Sequence, residues 1–171
     1  MASRDELYDE AARSYNSALE RLARAYEADV EVRRDLLQEI HFALWRSFEN
    51  FEAHCSLRTW VYRVAHNVSA THVLADRRTK SRPLVRIEDL DVADDRPSVE
   101  AISERHIALE RLTSLIQELK PLDRQVVLLF LEGVDGAGIA EITGLSAGNI
   151  STKIHRIKKV LTYRFQEGGR P

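Results

Sequence analysis

Apolar residues recur every three to four positions along most of the chain, the spacing that gathers side chains on one face of an α-helix. Leu7, Ala11, Tyr15, Ala18, Leu22 and Tyr26 form a first stripe, and Val32, Leu36, Ile40, Ala43 and Leu44 form a second that stops before Phe48. Residues 50–55 break the rhythm with polar side chains. Ser56 then stands where a cap is needed for a third helix, whose stripe is Leu57, Trp60, Val61, Val64 and Val68. Trp60, on that stripe, reads as a core residue. No alternating pattern longer than a few residues competes, so the chain is expected to be all-α.

The periodicity lapses over 80–98, a stretch that carries Pro83 and Pro97. Two small helical domains, 1–80 and 101–171, are therefore expected, joined by a linker at 81–100. Beyond the linker, 102–119 is amphipathic, Pro121 opens a helix reaching about Glu132, and Gly133 is a natural stop. Two shorter helices are expected to complete the chain.

Composition adds few constraints. At 171 residues, with 30% charged and 7% aromatic residues, the chain has the make-up of a folded helical protein. A single cysteine, Cys55, cannot form an internal disulfide, the first ten residues are too acidic for a signal peptide, and no apolar run approaches the roughly 20 residues that span a bilayer. A cytoplasmic protein without membrane insertion is expected.

Charge changes the picture through its distribution. The net charge is −2, yet beyond Ser146 the cations Lys153, Arg156, Lys158, Lys159, Arg164 and Arg170 face only Glu167. Around the linker, Glu88, Asp89, Asp91, Asp94, Asp95, Glu100 and Glu104 outnumber Arg82, Arg86 and Arg96. The linker is thus acidic, and a solvated tether is the plainest account of it.

The basic end also has an organised pattern. Asp135 can cap a short helix holding Ile139, Ala140 and Ile142, and Gly144-Leu145-Ser146 turns tightly into another helix. On the second helix Ile150, Ile154, Ile157 and Leu161 share one stripe, which must pack inward. Asn149, Thr152, Arg156 and Lys159 project from the opposite side, flanked by Ser151 and His155. Short polar groups near a helix N-terminus suit base edges, and longer cations suit phosphates. A plain helical hairpin with a solvated basic face is the alternative. The coincidence of turn, stripe and near absence of acids favours a DNA-binding helix-turn-helix.

Several stretches carry a family resemblance. Leu119-Lys120-Pro121-Leu122-Asp123-Arg124-Gln125-Val126-Val127, then Glu132-Gly133, Ile139-Ala140-Glu141-Ile142 and Ser146-Ala147-Gly148-Asn149-Ile150, resemble region four of extracytoplasmic-function (group IV) bacterial sigma factors. Asp35-Leu36-Leu37-Gln38-Glu39 resembles their polymerase-binding motif in region two. Leu57-Arg58-Thr59-Trp60-Val61-Tyr62-Arg63-Val64-Ala65-His66-Asn67 resembles their promoter-melting helix.

The resemblance implies a protein that binds core RNA polymerase and directs it to promoter DNA. Region four would bind the upstream element through Ser151, Thr152, His155 and Arg156, with Asn149 and Lys159 on the backbone. Region two would capture unstacked bases through Tyr62, Arg63, Asn67, Thr71 and the loop 50–56. Asp35, Gln38 and Glu39, with Phe42, Trp45 and Arg46 nearby, would meet the clamp helices of the polymerase. An anti-sigma protein is a further expected partner, and the linker would thread polymerase channels built for nucleic acid. A helix-turn-helix regulator that never docks on polymerase is the rival reading, and a helical protein-interaction adaptor is a third.

Two departures from the family pattern stand out. Val32-Arg33-Arg34 replaces the usual acidic residues before Asp35, which implies weaker or conditional polymerase binding. Gly136-Ala137-Gly138 opens the first helix of the helix-turn-helix, where each interior glycine costs about 1 kcal/mol against alanine. That helix is expected to be soft. His54 and Cys55 are adjacent and His66 and His72 are six apart, so neither pair shares a helical face for a metal. No phosphate loop, nucleophile elbow or paired-carboxylate motif is present, and no cofactor or enzymatic activity is expected.

Overall fold

The computed structural model describes residues 3–79 and 100–167, and among these every regular element is helical. The first helix, α1 (Arg4–Tyr26), starts at a reciprocal cap: the Ser3 hydroxyl accepts the Glu6 N–H at 3.2 Å, and the Glu6 carboxylate accepts the Ser3 N–H at 2.6 Å. Asp29 opens α2 (Val30–Ser47) by accepting the N–H groups of Glu31 and Val32, both at 3.0 Å. That helix tightens into a single 3₁₀ turn at Phe48–Asn50. The Ser56 hydroxyl accepts the Thr59 N–H at 3.0 Å and opens α3 (Leu57–Thr79), as expected of it.

These three helices form one bundle. Leu19, Leu22, Leu36, Ile40, Leu44, Val61 and Ala65 are buried between them. Each large aliphatic side chain removed from water this way stabilises the fold by about 1.5–3 kcal/mol. Trp60 sits at the edge of this core. Its ring meets Phe51 with centroids 5.3 Å apart, while its indole N–H donates to the Ser47 hydroxyl at 2.9 Å.

A second bundle follows, made of α4 (Glu100–Gln117), α5 (Pro121–Leu131), α6 (Gly136–Thr143) and α7 (Ala147–Glu167). Its core is Val126, Leu129, Ile139, Ile142, Ile150, Ile157 and Leu161. Gly133 and Gly144 take left-handed backbone angles, φ +71° and +74°, which a side chain would resist. They end α5 and α6. The expectation of a short final helix is corrected, because α7 has 21 residues, nearly twice the 11 of α5. Its apolar stripe continues to Leu161, and the chain beyond offers no proline or glycine before 168 to stop it.

The two glycines at the start of α6 have different surroundings. A Cβ on Gly138 would stand 2.8 Å from Val134 Cγ1, whereas one on Gly136 would meet open space. The Gly138 N–H also donates to the Asp135 carboxylate at 2.7 Å, so Gly138 is where cap and core converge. The 81–100 linker expected from the sequence lies, apart from residue 100, outside the described residues. The two bundles themselves are in contact, α4 and α5 against α1, and α5 and α6 against α3.

Candidate nucleic-acid interface

On α7 the apolar stripe is turned inward as expected, with Ile150, Ile157 and Leu161 buried and Ile154 half-buried. Consequently Asn149, Ser151, Thr152, His155, Arg156 and Lys159 are all exposed on the other side. One neighbour on this helix was not foreseen. Asp123, at the start of α5, binds Lys153 Nζ at 2.6 Å and stands 3.5 Å from an Arg156 guanidinium nitrogen. Lys153 is thereby taken up in holding α5 to α7, while the Arg156 side chain stays 64% exposed. Lys158 lies over the Phe130 ring at 4.3 Å, so part of the basic charge is seated against an aromatic face.

A second surface lies on α2. Leu36, Ile40 and Leu44 point into the bundle, and helical geometry turns Asp35, Gln38, Glu39, Phe42 and Arg46 outward, where all five are exposed. Phe42 is 63% exposed and stacks on Trp45, ring centroids 6.4 Å apart. Trp45 is itself pinned by α1, its indole N–H donating to Asp5 at 2.9 Å and the Arg4 guanidinium lying 3.6 Å above its ring. A rigid aromatic ledge flanked by carboxylates is the result. Of the two arginines that depart from the family pattern, Arg34 is paired with Glu31 at 2.8 Å, and Arg33 lines a groove against α4.

The melting residues expected on α3 divide into two groups. Asn67 and Thr71 are exposed and, with Glu39, Val68, His72 and Ala75, line a shallow cavity of about 430 Å³. Tyr62 is different. Only 3% of it is exposed, because Tyr15 and His66 flank its ring and α5 covers its hydroxyl. Arg63 is half-buried and donates to the Glu141 carbonyl of α6 at 2.8 Å. In the 50–56 loop, Ala53 adopts φ +57°, a left-handed angle that is strained for a residue with a Cβ.

The contact between the bundles was not foreseen either. Arg21 grips the Glu132 carboxylate with two hydrogen bonds, 2.6 and 2.8 Å, and Arg58 donates to the Glu132 carbonyl at 2.7 Å. The Tyr62 hydroxyl reaches the same carboxylate at 3.4 Å, and Thr59 reaches the Glu141 carboxylate at 3.3 Å. Helix geometry explains the carbonyl contacts. The last four C=O groups of a helix have no partner within it, and here arginines from the first bundle satisfy those at the ends of α5 and α6.

Deeper in the same seam, the buried Arg124 side chain donates to the carbonyls of Gln117 and Leu119, the latter at 3.0 Å, and to that of Tyr26 at 3.5 Å. It also lies 5.1 Å over the Tyr26 ring. Tyr26 in turn hydrogen-bonds His66 Nδ1 at 3.0 Å, and complete burial pushes that imidazole down to about 3. His66 is therefore a neutral core residue. Among the described residues, no three His, Cys, Asp or Glu side chains are grouped as a metal ion would require, and no helix is long and apolar enough to cross a membrane.

Comparison with known proteins connects these surfaces to a family. The family model for Sigma-70 region 2 matches residues 11–79, and that for Sigma-70 region 4 matches residues 109–161. An ECF RNA polymerase sigma factor, SigC of Mycobacterium tuberculosis, is 30% identical over 142 residues, covering 80% of this chain and 72% of the relative. The RNA polymerase sigma factor YlaC of Bacillus subtilis is 27% identical over 98% of both chains. Among solved structures, the sigma factor RpoE of Bartonella quintana, in complex with the anti-sigma factor NepR, superposes with a TM-score of 0.67 at 18% identity. It covers 95% of this chain and 98% of that one. The fold of CnrH, solved with the cytosolic domain of CnrY, matches with a TM-score of 0.66 at 16% identity, covering 94% of this chain and 88% of that one.

Proposed function

This chain belongs to the extracytoplasmic-function family of RNA polymerase sigma factors, and we propose a division of promoter work among its three exposed surfaces. The chain directs promoter-specific transcription initiation. The α7 ridge of Asn149, Ser151, Thr152, His155, Arg156 and Lys159 reads the upstream element. Ser151, Thr152, His155 and Arg156 address base edges, and Asn149 and Lys159 hold the backbone. The observation that carries this reading is the two-sided character of α7, three buried aliphatics on one side and six exposed polar residues on the other.

Asn67 and Thr71, together with the 50–56 loop, take bases extruded from the melted downstream element. Opening a duplex requires no catalysis, only a surface that binds unstacked bases better than paired ones. The cavity beside Asn67 and Thr71 supports this role. Tyr62 and Arg63 join them only when the second bundle moves off α3. On α2, Asp35, Gln38 and Glu39 surround the Phe42 ledge and dock on helices of the polymerase. Such pairings of aromatic anchor and charged rim concentrate binding energy at the centre of an interface. A protein with these partners works in the cytoplasm, and an anti-sigma protein is a fitting partner, as NepR is for RpoE of Bartonella quintana.

The test is reconstitution. Purified chain, core polymerase and a promoter template should yield transcripts from a defined start, which core alone does not give. Permanganate probing of the same complexes should show an opened downstream element that Asn67→Ala impairs while leaving upstream binding intact. A regulator without polymerase docking, which the match to region 2 leaves unsupported, would give no such transcripts.

A further inference from the structure

A cation on the flank of the recognition helix is held away from DNA by the protein itself. At about 100° per residue, Lys153 stands about 40° from Asn149 and about 60° from Arg156 around α7, which places it beside the exposed ridge. Its ammonium group nevertheless donates to the Asp123 carboxylate at 2.6 Å, and the two side chains are only 23% and 15% exposed. A contact this short and this sheltered is a charge-assisted hydrogen bond that salt screens poorly. The second carboxylate oxygen faces the Arg156 guanidinium at 3.5 Å. Asp123 has a local reason to be there as well: Lys120 gives α5 no side-chain cap, and an acid in the first turn supplies the negative charge that a helix N-terminus favours. It lines a cleft of about 460 Å³ between α5 and α7, together with Leu122, Val160 and Arg164.

We propose that Asp123 sets the strength of duplex binding by withholding Lys153 from the DNA backbone. This rests on the reading of α7 as the ridge that meets the upstream element. Moving Lys153 to a phosphate would exchange one anion for another and leave Asp123 bare against the duplex, where like charges repel. The pair therefore persists in the complex, and the ridge binds with one phosphate contact fewer than its cations could make. A phosphate contact carries no sequence information, so its absence lowers affinity for matched and unmatched DNA alike. The free chain is thereby left available to polymerase instead of being spread over DNA at large.

The experiment follows fluorescence anisotropy of the full chain on a matched upstream duplex and a scrambled one across a salt series. Asp123→Asn should bind both about eight-fold more tightly at about 0.1 M salt and steepen the slope of log K against log salt by about 0.9, the increment for one added phosphate contact. Adding Lys153→Gln to Asp123→Asn should bring affinity and slope back to those of the wild type. Glu110→Gln, which removes the same charge on α4 beside His106, should leave the slope unchanged. A purely structural clamp predicts the opposite sign, because loosening α5 from α7 would weaken binding. In the wild-type chain, lysine acetylation read by mass spectrometry should slow at Lys159 once duplex is saturating and stay constant at Lys153, a measurement that needs no variant to fold.

Unchanged or weaker binding by folded Asp123→Asn overturns the proposal, as does a gain that survives Lys153→Gln. Protection of Lys153 by duplex to the extent seen at Lys159 overturns it too, and a slope change in Glu110→Gln equal to that in Asp123→Asn reduces the effect to net charge. The underlying reading of α7 fails separately, if Lys159→Ala binds both duplexes as tightly as the wild type.

Discussion

Arg156 and Lys159 lie one turn apart on the same exposed ridge, yet removing them should have different consequences. The Arg156 guanidinium is 3.5 Å from Asp123, whose other oxygen is already held by Lys153 at 2.6 Å. Freeing so exposed a partner costs under about 1 kcal/mol. A two-pronged contact to a base edge returns about 1–3 kcal/mol of discrimination. The difference leaves roughly 1–2 kcal/mol, a factor of about 5 to 30, for Arg156→Ala to lose on a matched upstream element. Lys159→Ala should instead lose affinity for every sequence alike and flatten the dependence of log K on log salt by about 0.9. Both are read by fluorescence anisotropy of the polymerase complex on matched and scrambled upstream duplexes across a salt series. Equal losses from Arg156→Ala on the two duplexes, or a change of discrimination from Lys159→Ala, would refute the assignment of base and phosphate roles.

The two glycines of α6 should part company in thermal unfolding. Gly136→Ala, in open space, should be neutral or stabilise by up to about 1 kcal/mol, whereas Gly138→Ala should lower the midpoint, because its Cβ meets Val134 at 2.8 Å. Equal midpoints for the two variants would show that Val134 yields freely. The buried His66 imidazole, held down to about 3 from an ordinary 6.5, makes stability depend on acid. Between those values the unfolded chain takes up a proton that the folded chain refuses, so stability is whole above about 6.5 and falls by about 1.4 kcal/mol for each pH unit towards 3. Urea midpoints should therefore drop more steeply over this window for the wild type than for His66→Gln. Parallel curves would mean that another group dominates.

What could be read from the sequence was what local chemistry decides. The caps at Ser56 and Asp135 and the stop at Gly133 are set by residues within a turn of one another, and the structure places each where the pattern put it. The α7 ridge was legible for a related reason. Once Ile150, Ile157 and Leu161 must face inward, helical geometry leaves the opposite residues no other direction. The same logic failed for Tyr62. Its place on α3 is periodic, but its burial comes from Tyr15 and from Glu132, 70 residues away in the chain.

Arg21 and Glu132, separated by 111 residues, carry no mutual signal at all, and Arg124 reads as one more surface cation until three carbonyls surround it. These long-range partners share a property. Each arginine in the seam satisfies carbonyls or a carboxylate that would otherwise be left to water, so polar groups join the bundles beside a continuous apolar core. Polar contacts of this kind exchange readily for water or for another anion.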